Sequence, residues 1–134
     1  MSGTRVSAVL VPGWPAPRGY ANGMIGEGRT LHVAGQIGWD EHGEFHTDDL
    51  IEQFAQALDN VLAVVRGAGG EPTDIASMTV FVTDLPAYRA GRRALGPIWK
   101  ARLGTHYPAM ALVGVAGLVE LRAKVEIQAV AHLA

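Results

Sequence analysis

The sequence predicts an α+β domain in which two helices cover one face of a mixed sheet of about six strands. The last third of the chain alternates side chains around residues 125–129 with the period of two that is typical of a strand. Residues 49–66 instead repeat apolar side chains every three or four positions, as a helix does when it buries one face. The elements follow the order β, ββ, α, β, α, ββ, and this order favours one helical layer packed on one sheet.

The first part of the chain is predicted to contain three strands and a rigid loop. Residues 7–11 form a short apolar strand, and residues 12–19 are too rich in proline and glycine to form a helix. Residues 24–27 and 30–34 are predicted to pair as a hairpin, because a glycine-containing turn separates two short strand-like segments. Gly35 follows directly, and a glycine there indicates a bulge or a close approach of two backbones.

Both helices carry recognisable start signals. In the first helix, predicted over residues 49–66, Asp49 and Glu52 have the spacing of a capping pair, and glycines follow the last turn. Asp84 is the expected N-cap of the second helix. We expect that helix to break or kink near Gly96-Pro97, because proline lacks a backbone donor and clashes with the preceding turn.

Three further strands complete the predicted sheet, at residues 75–82, 110–115 and 119–131. No repeat or linker divides the sequence, so residues 1–134 are expected to form a single domain. Two helices cannot cover both faces of the sheet. The polar-edged face that carries Glu126 is therefore predicted to meet another copy of the chain in a closed homo-oligomer.

Composition excludes several classes of function. The 134 residues contain no cysteine, which rules out a disulfide framework, a thiol nucleophile and a cysteine-ligated zinc site. The net charge is only −2 and the basic residues are dispersed, so sequence-independent nucleic-acid binding is disfavoured. The first residues lack the apolar core of a signal peptide, and no segment approaches the roughly 18 apolar residues of a membrane span. We expect a soluble, cytoplasmic protein without membrane contact.

Glu126 is the first candidate for chemistry, because it is a carboxylate flanked by Val125 and Ile127 within an apolar strand. An acid in that position has to be solvated, paired, or held in a pocket where it reacts. At a half-buried subunit boundary it could act as a general base or orient a water molecule. The alternative interpretation is an exposed acid on the outer side of a two-faced strand.

Tyr20 is the second candidate, since it lies between glycines after the proline-rich loop and could project its hydroxyl group into a cleft. The alternative is that Asn22 and the following glycine form a turn that Tyr20 caps by packing.

Two charged clusters are more ambiguous. Two histidines and two acids within seven positions could suggest a metal site, but they lie in a loop without rigid spacing, and a solvated loop without metal is the favoured interpretation. These residues are His42, Glu44, His46 and Asp48.

The second cluster consists of Arg89, Arg92 and Arg93 on the second predicted helix, where Arg89 and Arg93 share a face. It is either a solvated basic strip or a contact for an anion or RNA. The chain contains neither a glycine-rich phosphate-binding loop nor a serine in a nucleophile elbow.

Six segments, in order along the chain, together resemble the motifs of the reactive-intermediate deaminases, also called the YjgF/UK114 family. The resemblance covers nearly the whole chain. The segments are Arg18-Gly19-Tyr20, Val33-Ala34-Gly35-Gln36-Ile37, Gln56-Ala57-Leu58-Asp59-Asn60-Val61, Met78-Thr79-Val80-Phe81-Val82-Thr83-Asp84, Tyr107-Pro108-Ala109 and Val125-Glu126-Ile127-Gln128-Ala129.

The resemblance implies a chorismate-mutase-like α+β fold and a homotrimer with three sites at subunit interfaces. It implies the hydrolysis of enamine or imine intermediates, such as 2-aminoacrylate, to keto acids and ammonia, without a cofactor. In that scheme Glu126 and a nearby backbone carbonyl orient the attacking water. Tyr20, Gly35 and Leu112 line the pocket for the small-molecule substrate.

Met110 departs from the family pattern, because it stands where the resemblance would place an arginine that clamps the substrate carboxylate. Three accounts remain open. Arg18 could anchor the substrate instead, or Met110 with Trp14 or Trp39 could form a larger apolar pocket for an aminomuconate-like substrate. In the third account the chain is a non-catalytic ligand-binding or regulatory trimer. The family's historical label of ribonuclease and translation inhibitor is least favoured, because the chain lacks a basic stripe.

Overall fold

The computed structural model describes residues 5–134 and has an α+β architecture, as predicted. Residues 1–4, which begin the predicted domain and the segment examined for a signal peptide, lie outside the described residues. The strands are β1 (Val6–Ala8), β2 (Met24–Gly26), β3 (Arg29–Ile37), β4 (Ile75–Val82), β5 (Ala109–Gly114) and β6 (Val125–Leu133). The helices are α1 (Leu50–Gly67), α2 (Leu85–Gly91) and α3 (Leu95–Leu103), and short 3₁₀ turns span Pro72–Asp74 and Arg92–Ala94.

Four of the strands form a mixed sheet in the order β3-β6-β4-β5. Strand β6 is antiparallel to both β3 and β4, whereas β5 runs parallel to β4 because α2 and α3 carry the chain back across the sheet. The helices cover one face. Alternate residues of β6 are buried against them, and Glu126, Gln128, Val130 and His132 lie on the opposite face, as the period-2 pattern predicts.

Helix α1 forms the centre of the core. The side chain of Asp49 caps it by accepting a 2.9 Å hydrogen bond from the backbone N–H of Glu52, which confirms the predicted capping position. Its apolar stripe, including Leu58 and Leu62, is fully buried against the sheet. Arg102 of α3 reaches α1 through two hydrogen bonds to Asp59, of 2.6 and 3.2 Å. Among the described residues, no helix combines the length and apolar character needed to cross a lipid bilayer.

The predicted pairing of residues 24–27 with residues 30–34 is wrong. Strand β2 pairs antiparallel with β1 in a separate two-stranded ribbon, and β3 pairs with β6. The reason is visible at Gly28, whose φ of 98° turns the chain. A Cβ added there would overlap the backbone carbonyl of Leu133 at the end of β6, so the chain passes close to β6 at this point. Strand β3 therefore joins the sheet beside β6, and β2 is left to pair with β1.

The second predicted helix breaks earlier than expected. Gly91 packs closely on Ile51, since a Cβ added at Gly91 would lie 2.5 Å from the Cγ1 atom of Ile51. The chain then passes into the 3₁₀ turn Arg92–Ala94 before α3 begins. The predicted break near Gly96-Pro97 does occur, about one turn before Pro97, so that both residues lie in the first turn of α3, where the missing proline N–H costs nothing. The predicted cap Asp84 is confirmed, because its side chain accepts a 3.0 Å hydrogen bond from Ala87.

The last predicted strand begins too early, because residues 115–124 form a loop and β6 begins at Val125. The loop is held at its base by Gln53 of α1, which is fully buried. The Gln53 amide donates to the carbonyls of Thr47 (2.9 Å) and Arg122 (3.0 Å) and accepts from the N–H of Lys124 (2.8 Å). These contacts replace the ladder bonds that a strand would have formed.

Candidate functional site

An open cavity of about 850 Å³ lies between β5 and the segment formed by α2 and α3. Four of the six site residues predicted from the sequence line it: Arg18, Tyr20, Met110 and Leu112. A cavity of this size falls within the range of small-molecule sites in proteins, about 300–1,000 Å³.

The strand register directs Met110 and Leu112 into this cavity. Met110 is opposite Met78 on the neighbouring parallel strand, and Leu112 is opposite Val80. Because Met78 and Val80 are buried beneath the helices, their partners on the edge strand β5 also face the helical side. Met110 and Leu112 are partly buried, pack against the core and form an apolar floor for the cavity.

Tyr20 and Arg18 reach the cavity from the loop that follows the ribbon strand β1. Gly19 adopts a φ of 76°, which is easily accessible only to glycine and turns the chain towards the sheet. Ala21 then donates a 3.0 Å hydrogen bond to the carbonyl of Pro108 and forms a bridge with Ala109 at the start of β5. Tyr20 stays 44% exposed, so its ring lines the cavity without being buried in the core.

The aromatic wall of the cavity was not predicted from the sequence. Trp99 of α3 is buried, donates a 3.0 Å hydrogen bond to the carbonyl of His106, and stacks on Tyr107 with a centroid distance of 6.0 Å. The tryptophans proposed for this wall lie elsewhere: Trp14 is 62% exposed and Trp39 packs on Phe45. One feature of the sequence could have indicated that Trp99 lines the cavity, namely its position on the second predicted helix shortly before the Tyr-Pro-Ala segment.

Two arginines that the sequence placed on a helical strip also line the cavity. Arg92 and Arg93 extend from the 3₁₀ turn, whereas Arg89 of α2 is not among the lining residues. Burial raises the pKa of Tyr88, and the positive charge of Arg92 acts in the opposite direction. Arg92 and Tyr88 are therefore close enough to interact electrostatically at the cavity wall.

Glu126 and Gly35 lie together on the opposite face of the sheet. Strands β3 and β6 shift register between Val33 and Gln36, which confirms the irregularity predicted at Gly35. A Cβ added at Gly35 would overlap the carboxylate of Glu126, so only glycine leaves room for that side chain in this position. The half-buried carboxylate thus occupies space that the bulge creates.

The six predicted residues therefore form two groups that a single chain does not bring together. Glu126 is opposite Phe81 on β4 and Ile37 on β3, with its side chain directed away from the helices. Met110 is directed towards the helices. The sheet separates the acid from the cavity.

The loop between β3 and α1 does not assemble a metal site. The carboxylate of Asp40 accepts hydrogen bonds from the N–H groups of His42 (2.8 Å) and Glu44 (3.0 Å) and contacts the ring of His46 at 2.5 Å. Asp48 instead pairs with Arg122 at 3.0 Å. Across residues 5–134 there is no group of three or more histidine and acidic side chains suited to a metal ion.

The chain is similar to proteins of known family. Residues 14–133 match the family model described as endoribonuclease L-PSP. The RutC family protein y4sK from Sinorhizobium fredii is 36% identical over 129 residues, which cover 96% of each protein. Human 2-iminobutanoate/2-iminopropanoate deaminase is 29% identical over 127 residues, which cover 94% of this chain and 87% of the human protein. YyfB, a Rid-family protein of unknown function from Yersinia pestis, has a crystal structure with a TM-score of 0.85 at 31% identity, covering 97% of this chain and all (100%) of that chain.

Proposed function

The chain belongs to the endoribonuclease L-PSP family, and from this premise we propose that it hydrolyses a reactive enamine or imine to a carbonyl compound and ammonia. The family match confirms the resemblance to reactive-intermediate deaminases drawn from the six sequence motifs. Deamination is the activity named for the human relative, which aligns with 94% of this chain.

The observation that carries the proposal is the placement of the two groups of predicted site residues. The cavity beside β5 can hold a small molecule, and Glu126 occupies the room left by Gly35 on the other face. We place the complete site between two copies of the chain, in a homotrimer, where the cavity of one copy meets the Glu126 face of the next. The exposed part of the outer face, around Gln128 and the half-buried Glu126, supports this arrangement.

The chemistry requires only water and the residues of the site. An enamine takes a proton on carbon to become an imine, and the oxygen of water then adds to the imine carbon. The carbon–nitrogen bond of the resulting carbinolamine breaks, ammonia leaves, and the carbonyl group forms. Glu126 accepts a hydrogen bond from the attacking water and orients it towards the imine carbon. Tyr20 and Leu112 shape the space around the substrate.

The test is ammonia release from 2-aminoacrylate generated in situ, measured for the wild type, Glu126→Gln and Met110→Arg. Glu126→Gln keeps the shape of the side chain but weakens its acceptance of a proton, so we expect a loss of about 10²-fold or more. Activity in the wild type that Glu126→Gln abolishes supports the proposal. A silent wild type that gains activity through Met110→Arg shows an intact water-orienting site with another natural substrate. If all three proteins are silent, the proposal fails.

A second function is favoured by one observation, the methionine at position 110. Without an arginine at the floor of the cavity, the protein could bind a ligand without converting it, as a regulatory trimer. Saturable binding of a keto acid together with no ammonia release from any imine tested would favour this function over the deaminase.

A further inference from the structure

Three arginines at the cavity have no acidic partner among residues 5–134. Arg18, Arg92 and Arg93 all line it, and none of them forms an ion pair with a carboxylate within the described part of the chain. Two other arginines do form ion pairs, Arg102 with Asp59 and Arg122 with Asp48. The mouth of the cavity is therefore positively charged and uncompensated, in a protein whose net charge is −2.

The rest of the cavity is aromatic and apolar. Trp99 and Tyr107 are stacked 6.0 Å apart with their planes inclined by 7°, and Tyr88 is half-buried nearby. Met110 and Leu112 form the floor. Methionine adapts its shape to an aromatic ring and makes favourable sulfur–aromatic contacts. A side chain with a ring would contact both the aromatic wall and the apolar floor, whereas the methyl group of a three-carbon imino acid is too short to reach both.

We propose that the cavity takes an aromatic 2-imino acid, whose carboxylate is held at the mouth by Arg18, Arg92 and Arg93 and whose ring lies on Met110 between the aromatic side chains. This inference rests on the proposed function, because it names the substrate class of the same site. In this arrangement the positive charge that holds the substrate carboxylate is supplied at the mouth of the cavity and not at position 110 on its floor. The side chain of the substrate then occupies the space above Met110.

Arginine suits this role because its guanidinium group is always charged and can hold a carboxylate with two parallel hydrogen bonds. Three such groups on two separate segments, the loop before β2 and the turn before α3, can approach one carboxylate from different sides. Each lost charged hydrogen bond weakens binding by about tenfold or more.

Binding is tested first with stable keto acids, which have the carboxylate and side chain of the imine but do not react. Phenylpyruvate and pyruvate are titrated into the intact protein by calorimetry. We expect phenylpyruvate to bind at least about tenfold more tightly than pyruvate. Arg18→Gln and the double variant Arg92→Gln/Arg93→Gln should each weaken phenylpyruvate binding by about tenfold or more. Arg89→Gln is the matched control, because Arg89 is on the same helical segment but outside the cavity. It should bind as the wild type does.

Equal affinity for the two keto acids, no binding of either, or unchanged binding by the cavity variants would overturn the inference. Hydrolysis rates are then measured with imines that an amino acid oxidase makes in situ from phenylalanine or alanine. These rates distinguish a failure of the aromatic substrate class from a failure of the proposed deaminase function. If hydrolysis depends on Glu126, is faster with the alanine imine and is unchanged in the arginine variants, the proposed function stands and the aromatic substrate class is rejected. If phenylpyruvate binds and the arginine variants weaken that binding, but neither imine is hydrolysed, the aromatic binding site stands and the deaminase function is rejected.

Discussion

Asp40 shows how one side chain organises the loop between β3 and α1. Its pKa is lowered from 3.8 to about 2, first by the hydrogen bond from the backbone of Glu44 and then by the ring of His46. A carboxyl group with a lowered pKa stabilises the folded state at every pH above its ordinary value. That contribution disappears as the pH falls from about 3.8 towards 2, because the native carboxylate then takes up its proton.

We predict that Asp40→Asn lowers the melting temperature at pH 6 and that its difference from the wild type shrinks between pH 4 and pH 2. The amide side chain cannot accept the same set of bonds as a carboxylate, whereas at low pH the wild type loses its advantage. Thermal unfolding across pH 2–6 measures this. Glu41→Gln is the control, since the Glu41 side chain is 81% exposed and its ion pair is with the similarly exposed neighbour His42. Parallel curves for Asp40→Asn and the wild type would contradict the prediction.

Residue-scale predictions from the sequence were right where local chemistry decides the outcome. Asp49 and Asp84 cap their helices because the geometry of a helix start is local. Trp99 was missed as a cavity residue because its position depends on how α3 packs against β5, which the helix pattern does not contain. The roles proposed for Arg18, Tyr20, Gly35, Met110, Leu112 and Glu126 stay predictions.

Gln53 links helix α1 to the two segments that flank it in space. Its amide bonds to Thr47, before the helix, and to Arg122 and Lys124, ahead of β6. Gly38 packs against its stem, where an added Cβ would lie 2.5 Å from the Cβ of Gln53. This amide therefore sets the entry of the chain into the strand that carries Glu126.

We predict that Gln53→Leu lowers the free energy of unfolding by about 2–5 kcal/mol. Leucine has similar size, so the cost comes from backbone groups of Thr47, Arg122 and Lys124 that lose a buried partner. Urea denaturation measures the change. The control is Gln56→Leu, because Gln56 is on the same helix and its amide donates one hydrogen bond, to Asn60, so the cost should stay below about 1.5 kcal/mol. A Gln53→Leu variant as stable as its control would show that water replaces these bonds.

At the scale of elements, the sequence predicts what periodicity encodes. The bounds of β4 are as predicted, and α1 begins and ends within one residue of the predicted range. The pairing partner of β2 and the start of β6 were wrong, since both depend on contacts distant in sequence: Gly28 against Leu133, and Gln53 against Arg122. A period-2 pattern shows which side chains share one face of a strand, but it does not identify the strand that pairs with it.

At the scale of the whole molecule, the outer face of the sheet is covered only in part among the described residues: the β1–β2 ribbon packs on it where Gly26 meets His132, whereas Gln128 stays exposed. The loop that precedes β6 exposes two large apolar side chains, Val119 (96%) and Leu121 (98%). The small number of helices predicted from the sequence already indicated that the outer face needs a partner. The number of copies and the residues that meet across an interface require a second chain, so the trimer remains a proposal.

Because the sheet separates Glu126 from the cavity, two defective proteins should repair each other. Glu126→Ala keeps an intact cavity, and Arg18→Glu keeps an intact acid while repelling a carboxylate at the cavity mouth. Unfolded together in equal amounts and refolded, the two should recover about a quarter of wild-type activity, since half of the cavities are intact and half of those meet an intact acid. Each variant refolded alone should stay inactive, and so should a mixture whose subunits never exchange. A co-refolded mixture that stays inactive would place acid and cavity in one chain's site. In genetic terms, a cell carrying both defective alleles would keep part of a function that neither allele supplies alone.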